Sequence, residues 1–193
     1  MSTVDPLSPD LKDTLRRLKL GPILDTLPER LTLARQQKMP HQDFLLLVLA
    51  DEVARRDSVA VSARASKAAL DPTMRLENWD ASARVTYDHL LFNELTSLRF
   101  VEAHAHVTVV GPVGVGKTFL AHALGHIACR RRYSVLAETA DHLLTTLRHA
   151  RLDHTHEAEL RKRLAVDLLL VDDFGIDAMT HEESRDIYAL MTE

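Results

Sequence analysis

Cysteine occurs once, at Cys129, so no disulfide can form within the chain, which fits a reducing cytoplasm. Long apolar runs are missing: the longest is the stretch at 44–50 (FLLLVLA), and a membrane helix needs roughly 20 such residues. No membrane association is therefore expected. The first ten residues (MSTVDPLSPD) carry no basic region leading into an apolar one, so no signal peptide is read there. There is no excess of basic charge. The 193 residues carry a formal net charge of -4, so any contact with nucleic acid has to come from a local patch rather than bulk attraction. Aromatic residues make up only 5% of the chain, but 46% is hydrophobic and 27% charged, the balance of an ordinary globular protein with a real core. There are no repeats and no low-complexity tracts.

The chain reads as two halves with different periods. Leu11, Leu15 and Leu18 recur at helical spacing and Gly21-Pro22 closes that helix. Ile23, Leu24, Leu27, Leu31 and Ala34 continue the period, with a break or fresh start expected at Pro28. A third helical segment runs over 41–69. Asp71-Pro72 signals a turn and opens a connector over 71–80. A further helix is expected over 81–102, carrying Val85, Leu90, Leu91, Leu95 and Leu98. Then β-branched residues appear. The stretch 106–110 (HVTVV) predicts a strand, followed by a helix over 117–131, a strand over 133–138, helices over 140–151 and 157–165, and an apolar strand over 167–171. This alternation predicts an α/β parallel sheet. The expected division is a helical N-terminal domain over 1–70, a connector and leading helix over 71–103, and a P-loop domain over 104–193.

Between the first expected strand and its helix lies GPVGVGKT, which fits G-x-x-x-x-G-K-[ST]. Its residues Gly111, Pro112, Val113, Gly114, Val115, Gly116, Lys117 and Thr118 are the candidate nucleotide-binding set. Glycines let the backbone turn its N–H groups inward onto phosphate oxygens. The helix beginning at Lys117 offers its positive end to the same anion. The Lys117 ammonium can bridge the β- and γ-phosphates, and the Thr118 hydroxyl can hold Mg²⁺. A second acid is needed for the metal. Asp172 ends an apolar strand at the sheet's carboxyl edge and is the natural candidate, with Asp173 beside it to orient an attacking water. Lys117 and Asp173 are thus the candidate catalytic residues, and Thr118 and Asp172 the candidate metal ligands. Asp173-Phe174-Gly175 also spells a kinase triplet, but no H-R-D-x-x-x-x-N loop precedes it.

With these motifs in hand, GPVGVGKTFLAHALGHIACRRRYSVLAETADHLL and DLLLVDDFGIDAMTHEESRDIYALM resemble the IstB-like transposition helper ATPases, of the AAA+ class and related to DnaC-type helicase loaders. The helical first half, ending in NELTSLRFVEAHAHVTVVG, is also similar to theirs. The resemblance implies ATP as the nucleotide with Mg²⁺, homo-oligomerisation on duplex DNA, and partnership with a transposase of the same insertion element. It assigns Gly111, Gly114, Gly116, Lys117 and Thr118 to nucleotide, Asp172 to Mg²⁺ and Asp173 to hydrolysis. GTP is disfavoured, because no Asn-Lys-x-Asp motif is present. The family's pattern continues with two more strands, a polar sensor, an arginine finger and a helical lid, whereas this sequence stops at Met191-Thr192-Glu193. An incomplete sheet is therefore expected, with 106–110 as an exposed apolar edge and ATP bound but hydrolysed poorly. A helicase loader and a non-catalytic ATP-holding adaptor are the alternative readings.

Weaker signals are read plainly. Arg56, Ala60, Arg64 and Lys67 stripe one helix face, more a solvated surface than a DNA contact. Arg130, Arg131 and Arg132 suit a helix C-terminus. His122 and His126, and His154 and His156, lack the third and fourth ligands of a metal frame. Trp79 is assigned to core packing.

Overall fold

The structure, a computed structural model, describes residues 7–79 and 86–192. It divides into two units, 1–60 and 61–193.

In the first unit Ser8 caps α1 (Pro9–Arg17), its hydroxyl accepting from the Leu11 N–H at 3.3 Å, and Pro9 starts the helix where a missing N–H costs nothing. Helix α2 (Ile23–Gln37) follows, and α3 (His41–Lys67) begins here, its last seven residues belonging to the second unit. Leu7, Ile23, Leu27 and Val48 form the core, with Leu15, Leu31 and Phe44 against it. Pro28 does not break α2, contrary to expectation. It removes one backbone donor, but Ile23 and Leu27 before it and Leu31 after it stay in the same core, and that burial outweighs one lost bond.

The second unit holds α4 (His89–Ser97), α5 (Arg99–Glu102), α6 (Lys117–Arg130), β1 (Val135–Thr139), α7 (Ala140–Leu152), α8 (His156–Leu164), β2 (Leu168–Asp172) and α9 (His181–Thr192). β1 and β2 pair in parallel, from Val135 opposite Leu168 to Thr139 opposite Asp172. Helix α6 packs on both strands. Leu124, Ile127 and Ala128 meet Leu168 and Leu98 in one cluster, and Cys129 meets Ala65, Ala68, Leu70 and Ala137 in a second. The α/β character and the parallel pairing agree with the sequence.

Two expectations are corrected. Residues 106–110 form no strand. β-branched residues favour a strand only where a neighbour supplies a ladder and a half-buried surface, and Val110 is 88% exposed. The expected helix over 81–102 is also not continuous. Positions 80–85 lie outside the described residues. Beyond them Asp88 accepts from the N–H groups of Leu90 and Leu91 and starts α4 at His89. Leu98 then turns left-handed (φ 57°) and ends it, because that turn places its side chain fully inside the core.

Candidate phosphate cradle

The loop at 111–118 runs directly into α6. Gly114 and Gly116 adopt φ of 80° and 100°, a region that side chains rarely enter. A Cβ at either position would meet nothing within 4 Å, so it is this backbone conformation and not crowding that favours glycine at both. Gly116 is the N-cap of α6 and supplies no side chain to cap it. No acidic residue occupies the first turn. The helix therefore starts with N–H groups that no side chain of the cap satisfies, and with an uncompensated positive end. The Lys117 ammonium folds back over the loop and donates to the carbonyls of Gly111 and Pro112 at 3.0 and 2.9 Å. All eight predicted residues are thus gathered in one turn. Glycine conformation, free helix amides and one ammonium are the donor set that a polyphosphate requires.

Asp172 is the last residue of β2 and is half-buried. Its Oδ1 accepts from the Asp173 N–H at 2.9 Å. Asp173 itself is left-handed (φ 56°) and exposed. The strand that carries Asp172 is one of the two under α6, so cradle helix and candidate metal acid share a packing layer. Asp172 also acts on His122, one turn beyond Thr118. Burial lowers the His122 pKa, while the charges of Asp172 and then Asp71 pull it upward. Thr118 and Asp172 are oxygen ligands of the kind Mg²⁺ takes alongside substrate phosphates. Among the described residues no group of three or more His, Cys, Asp or Glu side chains is assembled for a metal, and an ion held in that shared way needs none.

A family model described as "IstB-like ATP binding protein" matches residues 13–193. The chain belongs to that family. It is 33% identical over its full length, and over 76% of the relative's, to "Putative ATP-binding protein Rv3427c in insertion sequence" of Mycobacterium tuberculosis. It is 32% identical to "Insertion sequence IS1162 putative ATP-binding protein" of Pseudomonas fluorescens, over 93% of this chain and 78% of that one. It is 30% identical to "Insertion sequence IS21 putative ATP-binding protein" of Pseudomonas aeruginosa, over 94% and 69% respectively.

Around the cradle of this IstB-like chain lie contacts that the sequence did not show. Trp79 packs edge-on against Phe119, with ring centres 5.4 Å apart, and Tyr87 and Phe92 complete the cluster. Phe119 stands two residues after Lys117, so this half-buried aromatic group borders the start of α6. Trp79 is half-buried in this aromatic cluster beside the cradle and not part of the buried core clusters that the sequence reading assigned it to. No sequence signal links residue 79 to residue 119. His122 and His126 are engaged too: His122 Nδ1 accepts from the Asp71 N–H at 3.0 Å, and His126 Nε2 meets the Asp71 carbonyl at 2.8 Å.

Four of the arginines singled out in the sequence make internal bonds. Arg56 donates to Glu52 at 2.7 Å and to the Lys19 carbonyl at 2.9 Å, and Arg64 donates to the Cys129 carbonyl at 3.0 Å. Arg130 pairs with Glu77 at 2.8 Å, and Arg131 bonds the Ser97 carbonyl. His156 meets Asp186 at 3.0 Å. Among the described residues no helix is long and apolar enough to cross a membrane.

Proposed function

We propose that this chain is an ATP-binding helper of DNA transposition that acts in the cytoplasm. Bound to ATP and Mg²⁺, it would assemble as a homo-oligomer on duplex DNA and assist a transposase of the same insertion element. The observation that carries the nucleotide part is the Lys117 ammonium lying over a glycine-turned loop at an uncapped helix start. The family and the printed names of the relatives support ATP as the nucleotide and an insertion sequence as the setting.

Each residue then has a role. The backbone N–H groups of the loop, other than at Pro112, would donate to the phosphate oxygens, and Lys117 would leave its two carbonyls to bridge the β- and γ-phosphates. Thr118 and Asp172 would hold Mg²⁺. The bound ion would neutralise charge on the β- and γ-oxygens. Asp173 would orient a water toward the γ-phosphate.

Sedimentation of the purified chain with a duplex oligonucleotide tests the assembly. Co-sedimentation that requires Mg-ATP and is lost in Lys117→Ala is expected. Equal sedimentation without nucleotide would refute it. Capture of the element's transposase, and not a replicative helicase, by the ATP-loaded chain tests the partner. Preference for the helicase would favour the loader reading instead.

A further inference from the structure

Thr118, His122 and His126 stand at intervals of four on α6, so they follow one another along one face. The first is a candidate metal ligand. The other two close on the backbone of a single residue, Asp71. Both of its backbone polar groups are taken. Its N–H donates to His122 Nδ1 at 3.0 Å, and its carbonyl accepts from His126 Nε2 at 2.8 Å. These partners fix the proton positions: Nδ1 of His122 is bare and Nε2 of His126 is protonated. His126 is 97% buried, so its bond is made away from water and is costly to lose.

The residue before Asp71 is a spacer. Leu70 is buried and reaches α6 at Gly125, where an added Cβ would stand 2.7 Å from Leu70 Cδ2 and 3.0 Å from Leu170 Cδ1. Helix α6, Leu70 and strand β2 therefore touch at one point, and Gly125 is the residue that lets them. Leu170 is two residues before Asp172 on the same strand. On the other side of Leu70, the Ala68 carbonyl accepts from the Ala137 N–H of β1 at 2.8 Å. Leu70 is thus pinned from both directions, by β1 through Ala68 and by α6 through Asp71.

We propose that His122 and His126 are positioning residues for the phosphate cradle. By gripping the Asp71 backbone on both sides of its Cα they seat Leu70 between α6 and β2, and so set the placement of Thr118 against Asp172 that Mg²⁺ requires. The proposal rests on the ATP and Mg²⁺ reading given above. It predicts a defect of one kind. Without the grip the cradle amides and Lys117 still bind phosphate, because both are local to the loop. What fails is the added affinity from a metal shared by helix and strand.

The test is titration of a fluorescent ATP analogue into the full chain, in Mg²⁺ and in EDTA, well below the melting temperature. Hydrogen exchange at the Asp71 amide is followed in parallel. In the wild-type chain Mg²⁺ tightens binding by about tenfold, an ordinary size for coupling between two ligands. In His122→Leu and His126→Leu the Mg²⁺ gain drops below about threefold, while affinity in EDTA stays within about twofold. The Asp71 amide exchanges faster in both. Asparagine places its Oδ1 near the position of a histidine Nδ1, and glutamine its Nε2 near that of a histidine Nε2. His122→Asn and His126→Gln therefore restore both the Mg²⁺ gain and the slow exchange. Leucine variants that keep the full gain overturn the proposal. So do variants that lose affinity equally in Mg²⁺ and EDTA, or folded Asn and Gln variants that rescue nothing. A wild-type chain that binds no analogue at all refutes the ATP reading itself, a separate outcome.

Discussion

The Lys117 ammonium and the Gly111 carbonyl are joined by a hydrogen bond of 3.0 Å, so the lysine of the motif bonds the residue that opens it. The loop is held ready, with its cation on its own backbone. Both bonds made by this ammonium are exposed, and exposed side-chain bonds contribute little to folding. In Lys117→Ala the melting temperature of the nucleotide-free chain should stay close to wild type, a change within about 0.5 kcal/mol. The upward shift in melting that ATP gives the wild type should disappear. A large loss of stability without nucleotide would show instead that Lys117 is a structural residue.

Gly125→Ala sets two effects against each other. Alanine gains about 1 kcal/mol over glycine inside a helix. Its methyl, however, would stand 2.7 Å from Leu70 and 3.0 Å from Leu170. Overpacking a filled core costs about 1–3 kcal/mol. Leu70 is hemmed in on both sides, so the clash should prevail and unfolding should shift to lower denaturant. A stabilised variant would show that Leu70 moves aside freely.

Arg163 is buried between two helical turns and the end of β1. It donates to both carboxylate oxygens of Glu138, at 2.8 and 3.1 Å, and to Glu159 at 2.7 Å. Removing one partner of such a buried pair leaves the other charge unsatisfied, at about 3–5 kcal/mol. Arg163→Met should lose stability of that order in urea unfolding. Adding Glu138→Leu should recover most of it. A single variant as stable as wild type would refute this account of the α8–β1 junction.

Acid should loosen the start of α9. Glu183 accepts from the Thr180 N–H at 2.8 Å and from Arg148 at 2.5 Å, and these partners lower its pKa from 4.5 to about 2. A carboxylate held below its ordinary value stabilises the fold fully above pH 4.5, and that stabilisation is lost as pH falls toward about 2. Unfolding measured at steps between these values should show stability falling with pH. In Glu183→Gln that fall should be shallower. An unchanged slope would exclude Glu183 as its source.

The cradle was legible because its chemistry is local: eight consecutive residues carry the glycines, the cation and the helix start. Asp172 was legible for the same reason, as the polar end of an apolar run. Strands at 133–138 and 167–171 lie within two residues of β1 and β2. The segment 106–110 misled because Val107, Val109 and Val110 report only an inclination, and a strand exists only where another strand pairs with it. Leu98 misled because helical spacing cannot show that one leucine will leave the helix to fill a core. The His122 and His126 grip was invisible, since its partners are the two backbone groups of a residue 51 and 55 positions away. A pair of histidines at helical spacing looks the same whether it holds a metal, a peptide or nothing.

The most direct measurement is a calorimetric titration of Mg-ATP into the purified chain, with Lys117→Ala beside it. The account predicts saturable binding of one ATP per chain, abolished or weakened at least about tenfold in the variant, as loss of a charge-assisted contact implies. No saturable binding, or equal binding by both proteins, would contradict it.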